Sequence, residues 1–471
     1  MSITIINDNQ NSLKNKIDYV KKTFLDYVGS NNSQKNLKIL YSQLENVNNT
    51  DYDIILKTDP KAIDFFSNKS VYNINNIKFF NFENESIPIL FHNNFTEPFI
   101  FDQNRKQLTI FIDIFASAFY FLSLWDEYVI KERDNHNRFI GKNSLLYKLD
   151  FLRKPIVTIY FNYLIFLIKN YFNINIQKRN SYASLTHDID YIKKWSPGII
   201  YRECIQYFLL NRLNVNFRKR FSRFYEFLKA FLIKNDPYLN SFNKIIEFEL
   251  KNNIRSTFFI KTGCTSKHDV SYSVKNKFVK RKVEFLKEQN FDVGLHPSYK
   301  TYNNEIIMKD EKNRLINLLN NDKFGVRQHY LRYDINITPI IHEKLYFIYD
   351  SSLGYHDVEG FRTGFSFPHY LYSNKNDKVL NIIEIPLVIM DSTLEYYRKL
   401  KPQQALNVIK EITNIIQKYG GVLTILFHNT CYDELDYPGW GSIYEDMVHN
   451  FINNNIQILT LQKILTAYFN S

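Results

Sequence analysis

Cysteine and glycine are scarce in this sequence, at three and 13 of 471 residues. The cysteines, Cys204, Cys264 and Cys431, form neither an even set nor a CxxC pair. That excludes a disulfide scaffold and suits a reducing compartment. Long apolar runs are missing too: the run over residues 156–168 is interrupted by Asn162 and falls short of the ~20 residues that a bilayer-spanning helix needs. The opening MSITIINDNQ has no basic segment followed by an apolar one, so no secretory signal is read and a cytoplasmic location is expected. No period of roughly 20 to 50 residues recurs, which sets solenoids and propellers aside.

What is present is an ordinary globular balance, 45% hydrophobic and 23% charged, which excludes a disordered or fibrous chain. At about 150 residues per domain the length allows two or three domains. Aromatics reach 16%, with 40 Phe and 34 Tyr, and 60 basic against 48 acidic residues leave a net charge of +12. The basic residues are scattered, and no zinc-finger, RNP or basic-zipper pattern appears. The surplus is therefore read as a solvated Lys-rich surface, with no nucleic-acid partner.

Composition shifts near Arg179. Residues 1–178 read as a smaller α/β or α+β domain: β-rich pieces (IKFFNF, LTIFIDI) precede a helical pattern over residues 115–129. Its charged residues Asp126, Glu127, Arg138 and Lys142 read as the polar end of a buried helix. From residue 179 to 471, short apolar runs alternate with helical or loop-like stretches: YASLTHD, RSTFFIK, FDVGLHP, FGVRQHY, LYFIYDS, NIIEIPLVIMD, GVLTILFH and IQILTL. Alternation of this kind predicts a deformed parallel (β/α) barrel of about seven to eight strands, with reactive groups at the strand C-terminal ends. Polar residues recur at that rim: His187, Asp188, Asp190, His296, Arg327, His329, Asp350, Asp391 and His428.

A carboxylate and an imidazole converging on one point suit a divalent metal, and a second carboxylate nearby can activate its water. In THDID, Asp188 and Asp190 stand two apart and share a strand face. Arg327 is placed to hold one of these carboxylates, backbone N–H groups after it to face an oxyanion, and His428 to act as general acid.

These motifs resemble the NodB-like polysaccharide deacetylases, carbohydrate esterase family four. STFFI at 256–260 is similar to the family's second-strand signature, THDID to its first motif, GLHPSY to its second, RQHY to its third and LFHN to its last. The resemblance implies Asp188 as catalytic base, Asp190 and His296 as metal ligands, Arg327 as the group tuning the base, the Tyr330 N–H as oxyanion donor and His428 as general acid. WDEYV and DNHNRF resemble an uncharacterised N-terminal domain found in a bacterial subgroup of this superfamily. One departure stands out: Lys300 occupies the position four after His296 where the family carries a second His. His187 or His329 is the expected replacement ligand.

The implied function is hydrolysis of an N- or O-acetyl group from a sugar or glycan in polysaccharide or cell-envelope metabolism. The implied cofactor is a divalent metal, zinc first, with cobalt, manganese and nickel as alternatives. A degenerate barrel serving as a carbohydrate-binding or scaffold protein is the competing reading. Residues 191–250 form an insertion containing FRKRFSRFYEFLKAFLIK. It is expected to be a helical lid with Phe and Leu against the barrel and Arg and Lys in water, the alternative being peripheral membrane contact through residues 216–234. The oligomeric state is left open.

Overall fold

A computed structural model describes residues 2–9, 12–29, 36–43, 51–93, 96–269 and 272–469. The N-terminal part is built on a five-stranded sheet. Its strands β1 (Ser2–Asn7), β2 (Asn36–Ser42) and β3 (Ile54–Lys57) run parallel. A hairpin of β4 (Lys78–Phe82) and β5 (Glu85–Ile89) stands apart. The sheet is completed by β6 (Phe99–Asp102), antiparallel to β7 (Gln107–Ile110), giving the order β1-β2-β3-β7-β6. Helices Lys14–Val28, Ile114–Leu122 and Ile156–Phe172 contribute to its core. The helical pattern over residues 115–129 divides in two, because Leu124 adopts a left-handed conformation (φ 55°) between helices Ile114–Leu122 and Trp125–Val129.

The second part opens with β8 (Ser181–Ile189), followed by β9 (Thr257–Ile260), β10 (Asp292–Leu295), β11 (His369–Ser373), β12 (Lys378–Glu384), β13 (Leu387–Met390), β14 (Gly421–Leu426) and β15 (Gln457–Ile458). The order β10-β9-β8-β14-β13 is parallel throughout, with β15 also on β8. Single parallel bridges Leu295–Val326, Val326–Asp350 and Asp350–Glu384 carry the wall onward. The result is a deformed (β/α) barrel of about seven strand positions behind a smaller α/β domain.

Two of the predicted strands, FGVRQHY and LYFIYDS, shrink to one bridging residue each, Val326 and Asp350. Side chains take the backbone donors that would extend the ladder: Gln328 N–H goes to Ser352 Oγ, Ser352 N–H to Asp350 Oδ1 and Leu353 N–H to Glu384 Oε1. The run NIIEIPLVIMD splits into the end of β12 and β13 around Pro386, which has no N–H to donate. The hairpin β11–β12 is antiparallel, unlike the rest of the wall.

Two apolar cores meet along the chain. One gathers residues from Ile5 to Ile176 and recruits Tyr355, Phe365, Phe367 and Tyr372 from the barrel side. The other spans Ala183 to Ile456 and takes Leu124 from the N-terminal side. Gly364 makes one of these crossings possible: its φ is +64°, and a Cβ there would stand 2.8 Å from Ile156 Cγ2. The interlocking is reinforced by a buried ion pair, in which Arg362 donates from Nε and Nη2 to the two carboxylate oxygens of Glu127 at 2.7 and 2.6 Å.

The insertion contains helices Pro197–Tyr201, Phe217–Leu232 and Pro237–Lys251, with a π-helical stretch Arg202–Leu209. The last helix packs as expected, burying Tyr238, Phe242, Ile245 and Ile246. Helix Phe217–Leu232 does not: Phe227 is its buried residue. The expected lid orientation is overturned because Arg223 turns inward, to carboxylates of Glu203 and Asp436. No helix among the described residues is long and apolar enough to cross a membrane.

Candidate metal centre

The site begins at the C-terminal end of β8. Alternation sends Asp188 and Asp190 into the barrel, where Asp190 Oδ1 lies 3.4 Å from His296 Nε2 and 3.3 Å from His329 Nε2. His296 follows β10 directly, and His329 follows the Val326 bridge. All three ligand atoms fall within 4.8 Å of one another. For metal–ligand bonds of about 2.0–2.1 Å, tetrahedral geometry requires ligand atoms about 3.3–3.4 Å apart. The Asp190 contacts meet that requirement. Asp190 Oδ1 also has no hydrogen-bond partner among the described residues although buried, as expected of an oxygen reserved for a cation.

The ring orientations agree. His296 Nδ1 contacts the Arg327 carbonyl at 2.7 Å and His329 Nδ1 contacts Asp269 Oδ1 at 2.8 Å. Each acceptor holds the proton on Nδ1, so each Nε2 presents its lone pair to the common point. Asp190, His296 and His329 therefore form a cluster able to coordinate a divalent metal. Burial opposes charge on Asp190, but His329 and His296 outweigh it and hold the carboxyl well below its usual range. Burial likewise opposes the His329 cation, and Asp190 reverses the balance, raising the imidazole.

His187 stays outside the cluster, and the ligand role expected for it is corrected. One residue from Asp188, it points to the opposite face of β8. There Nδ1 meets the Phe427 carbonyl at 2.8 Å and Nε2 meets Glu249 Oε1 at 2.9 Å, beneath helices Pro237–Lys251 and Trp440–Asn453. Lys300 is exposed.

Asp188 sits beside the cluster, with Oδ2 3.7 Å from His296 Nε2 and Oδ1 3.6 Å from Arg327 Nη1. Arg327 is fully buried and aimed by Thr186 Oγ1 at 3.0 Å and Ser351 Oγ at 2.9 Å. Opposite, His428 follows β14, its Nε2 3.7 Å from Asp190 Oδ2. Asp391, at the end of β13, accepts from the His428 ring and backbone N–H, both at 2.7 Å. Burial disfavours the His428 cation, yet the carboxylates of Asp391, Asp190 and Asp188 prevail and push its pKa up to about 10. Tyr330 adopts a left-handed backbone (φ 61°, ψ 10°), and its carbonyl accepts from Arg138 Nη1 at 3.1 Å. A non-glycine residue in that region stores strain of the kind that collects at functional sites.

Residues 5–173 match the "Family of unknown function (DUF7033)". No curated protein matches the chain. Among solved structures, the chain is similar to a protein assigned as a polysaccharide deacetylase from Mycobacterium smegmatis, at 13% identity and a TM-score of 0.39, over 62% of this chain and 91% of that one. It is also similar to a CE4 family pseudoenzyme from Bacillus anthracis, at 10% identity and a TM-score of 0.32, over 61% and 66%. A mutant of that pseudoenzyme with restored enzymatic activity gives 10% identity and a TM-score of 0.32, over 61% and 69%.

The DUF7033 region contributes to the cavity that holds this cluster. His136 and Arg138 line the same cavity of about 370 Å³ as Asp188, Asp190, His296, His329 and His428. Arg138 also donates from Nε to Asp134 at 2.9 Å and from Nη2 to the Tyr397 hydroxyl at 3.0 Å, so it is more than the polar end of a helix. Glu127, by contrast, is committed to Arg362. Sequence reasoning passed over His136, Lys261 and Asp269. Lys261 follows the STFFI strand and is buried, with Nζ 3.9 Å from Asp190 Oδ1 and 3.3 Å from Asp269 Oδ1. A lysine ending a strand in a row of rim residues was its available signal. Asp269 lies in a loop with no motif.

Proposed function

We propose that this protein is a metal-dependent deacetylase that hydrolyses an N- or O-acetyl group on a sugar or glycan. The observation carrying the proposal is the convergence of Asp190, His296 and His329 in one cavity, with Asp188 on one side and the His428–Asp391 pair on the other. The motif resemblance supplies the substrate class. A divalent ion held there, zinc by donor type, supplies Lewis acidity toward the acetyl carbonyl and lowers the pKa of water.

The chain's residues do the rest. Asp188, with an oxygen that lacks a hydrogen-bond partner among the described residues and a guanidinium at 3.6 Å, takes the proton of the attacking water. Arg327, held by two hydroxyls, keeps that carboxylate oriented. The Tyr330 N–H donates to the oxyanion. His428, kept protonated by Asp391, releases its proton to the departing amine or alcohol. Zinc as the ion, the three free cysteines and a reducing cytoplasmic setting in envelope polysaccharide metabolism belong to the same reading.

Acetate release from acetylated sugars, together with bound metal, tests it. The wild type is expected to carry one divalent ion and to release acetate. Asp188→Asn and His428→Ala should retain the metal and lose about 10²–10⁴-fold in kcat, the usual worth of a positioned acid or base. Absence of both metal and acetate would favour the degenerate carbohydrate-binding barrel.

A further inference from the structure

The inward turn of Arg223 has a counterpart on the other side of helix Phe217–Leu232. Phe217, Phe221, Tyr225 and Leu232 are 65, 54, 56 and 73% exposed, and Leu228 lies among them. At 100° per residue these five fall within about 80° of the helix circumference, a single stripe along its length. Leu209 and Leu210, just before the helix, are exposed as well. Contiguous large apolar side chains are rarely left in water without a binding role.

The stripe is rigidly presented. Beneath it, Arg223 pairs with Glu203 at 2.8 Å and Asp436 at 2.6 Å, Arg202 reaches Asp436 at 3.1 Å, and Lys194 reaches it at 2.9 Å. Phe227 packs edge-on against Trp195 with ring centroids 5.1 Å apart. The anchoring carboxylate follows the His428–Cys431 segment that lines the cavity, so the stripe belongs to the same end of the barrel as the metal cluster.

Charge decides what the stripe fits. Residues 209–234 hold seven Lys and Arg against one Glu, and exposed Arg218 and Lys229 border the stripe on one side. We infer that helix Phe217–Leu232 lies in the surface of an anionic lipid bilayer, with the Phe221–Leu232 stripe among the acyl chains and Arg218 and Lys229 at the headgroups. The pattern of an apolar face edged by cations is that of an interfacial helix. Packing against a second copy of the chain would instead bring two such cationic borders together. The inference is independent of the hydrolytic chemistry.

Co-sedimentation of the full chain with vesicles of phosphatidylglycerol and phosphatidylcholine tests it, beside vesicles of phosphatidylcholine alone. Binding to the anionic vesicles is expected, weakening as salt rises. Phe221→Ser with Leu232→Ser should lower it at least tenfold without changing thermal unfolding, since both residues are exposed. Arg218→Glu with Lys229→Glu should remove the preference for anionic lipid. No sedimentation at low salt, or equal binding by the serine variant, would overturn the inference. So would a lipid-free dimer that the serine variant abolishes, which would show a second copy covering the stripe.

Discussion

Asp269→Asn separates a metal centre from a fortuitous meeting of polar side chains. Asp269 stands behind His329 and is not among the residues that line the cavity. Its Oδ1 is 2.8 Å from His329 Nδ1, and it also accepts from Tyr299 N–H at 2.9 Å, while Oδ2 accepts from Thr265 and Ser266 N–H at 2.9 and 3.0 Å. Burial works against its charge, but His329, Thr265 N–H and Lys261 overcome it, so the carboxyl is held well below its usual range and accepts strongly. Asparagine keeps the shape and one carbonyl oxygen, but loses the charge and places an amide donor where a second acceptor stood. His329 then loses the partner that fixes its tautomer. Outer groups of this type typically change metal affinity by about 10–100-fold, equivalent to about 1.4–2.7 kcal/mol. Titration against a competing chelator measures it, with thermal unfolding of the metal-free protein as the control for the loop. His329→Ala should cost more, because only two protein ligands remain. Affinity unchanged in both variants would refute the assignment of His329 as a ligand.

Two further outcomes concern the frame around the site. Glu127→Ala leaves Arg362 charged and buried with no carboxylate against it, only the Gly354 carbonyl and the Tyr355 ring among the described residues; removing one member of such a pair costs about 3–5 kcal/mol. Denaturant unfolding should show it, and a change below about 1 kcal/mol would mean that this bond does not join the two cores. His369 is buried, its Nδ1 3.0 Å from the Phe367 carbonyl, and burial depresses its pKa from 6.5 to about 4. Between those values the unfolded chain binds a proton that the folded one refuses. Stability therefore falls as pH drops from about 6.5 to 4, by about 3 kcal/mol from this group. His369→Gln should flatten that limb of the stability–pH curve, and an unchanged slope would place the proton uptake elsewhere.

Local periodicity made much of this molecule legible. The alternating β and helical stretches implied a parallel wall, and polar strand ends marked its rim, because strand direction in a (β/α) arrangement puts every C-terminus at one end. The same period of two put Asp188 and Asp190 on one face of β8, but the expectation of His187 as a ligand gave way only when its ring was found against the Phe427 carbonyl and Glu249. Strands four and five were overestimated because the side chains of Asp350 and Ser352 take backbone N–H groups that a longer ladder would use.

The sequence by itself marked the polar residues that gather at one cavity: Asp188, Asp190, His296, His329 and His428 line it and Arg327 reaches Asp188, each standing at or shortly after a strand end or bridge, where local pattern points to them. Tertiary structure alone decided their partners. That His329 rather than His187 faces Asp190, that Asp269 stands behind His329, and that His136 and Arg138 enter the cavity all depend on segments 60 or more residues apart in the chain. The same holds for helix Phe217–Leu232. Its sequence is amphipathic, but which face meets water was decided by Asp436, 213 residues from Arg223, because an ion pair of that separation leaves no trace in local spacing.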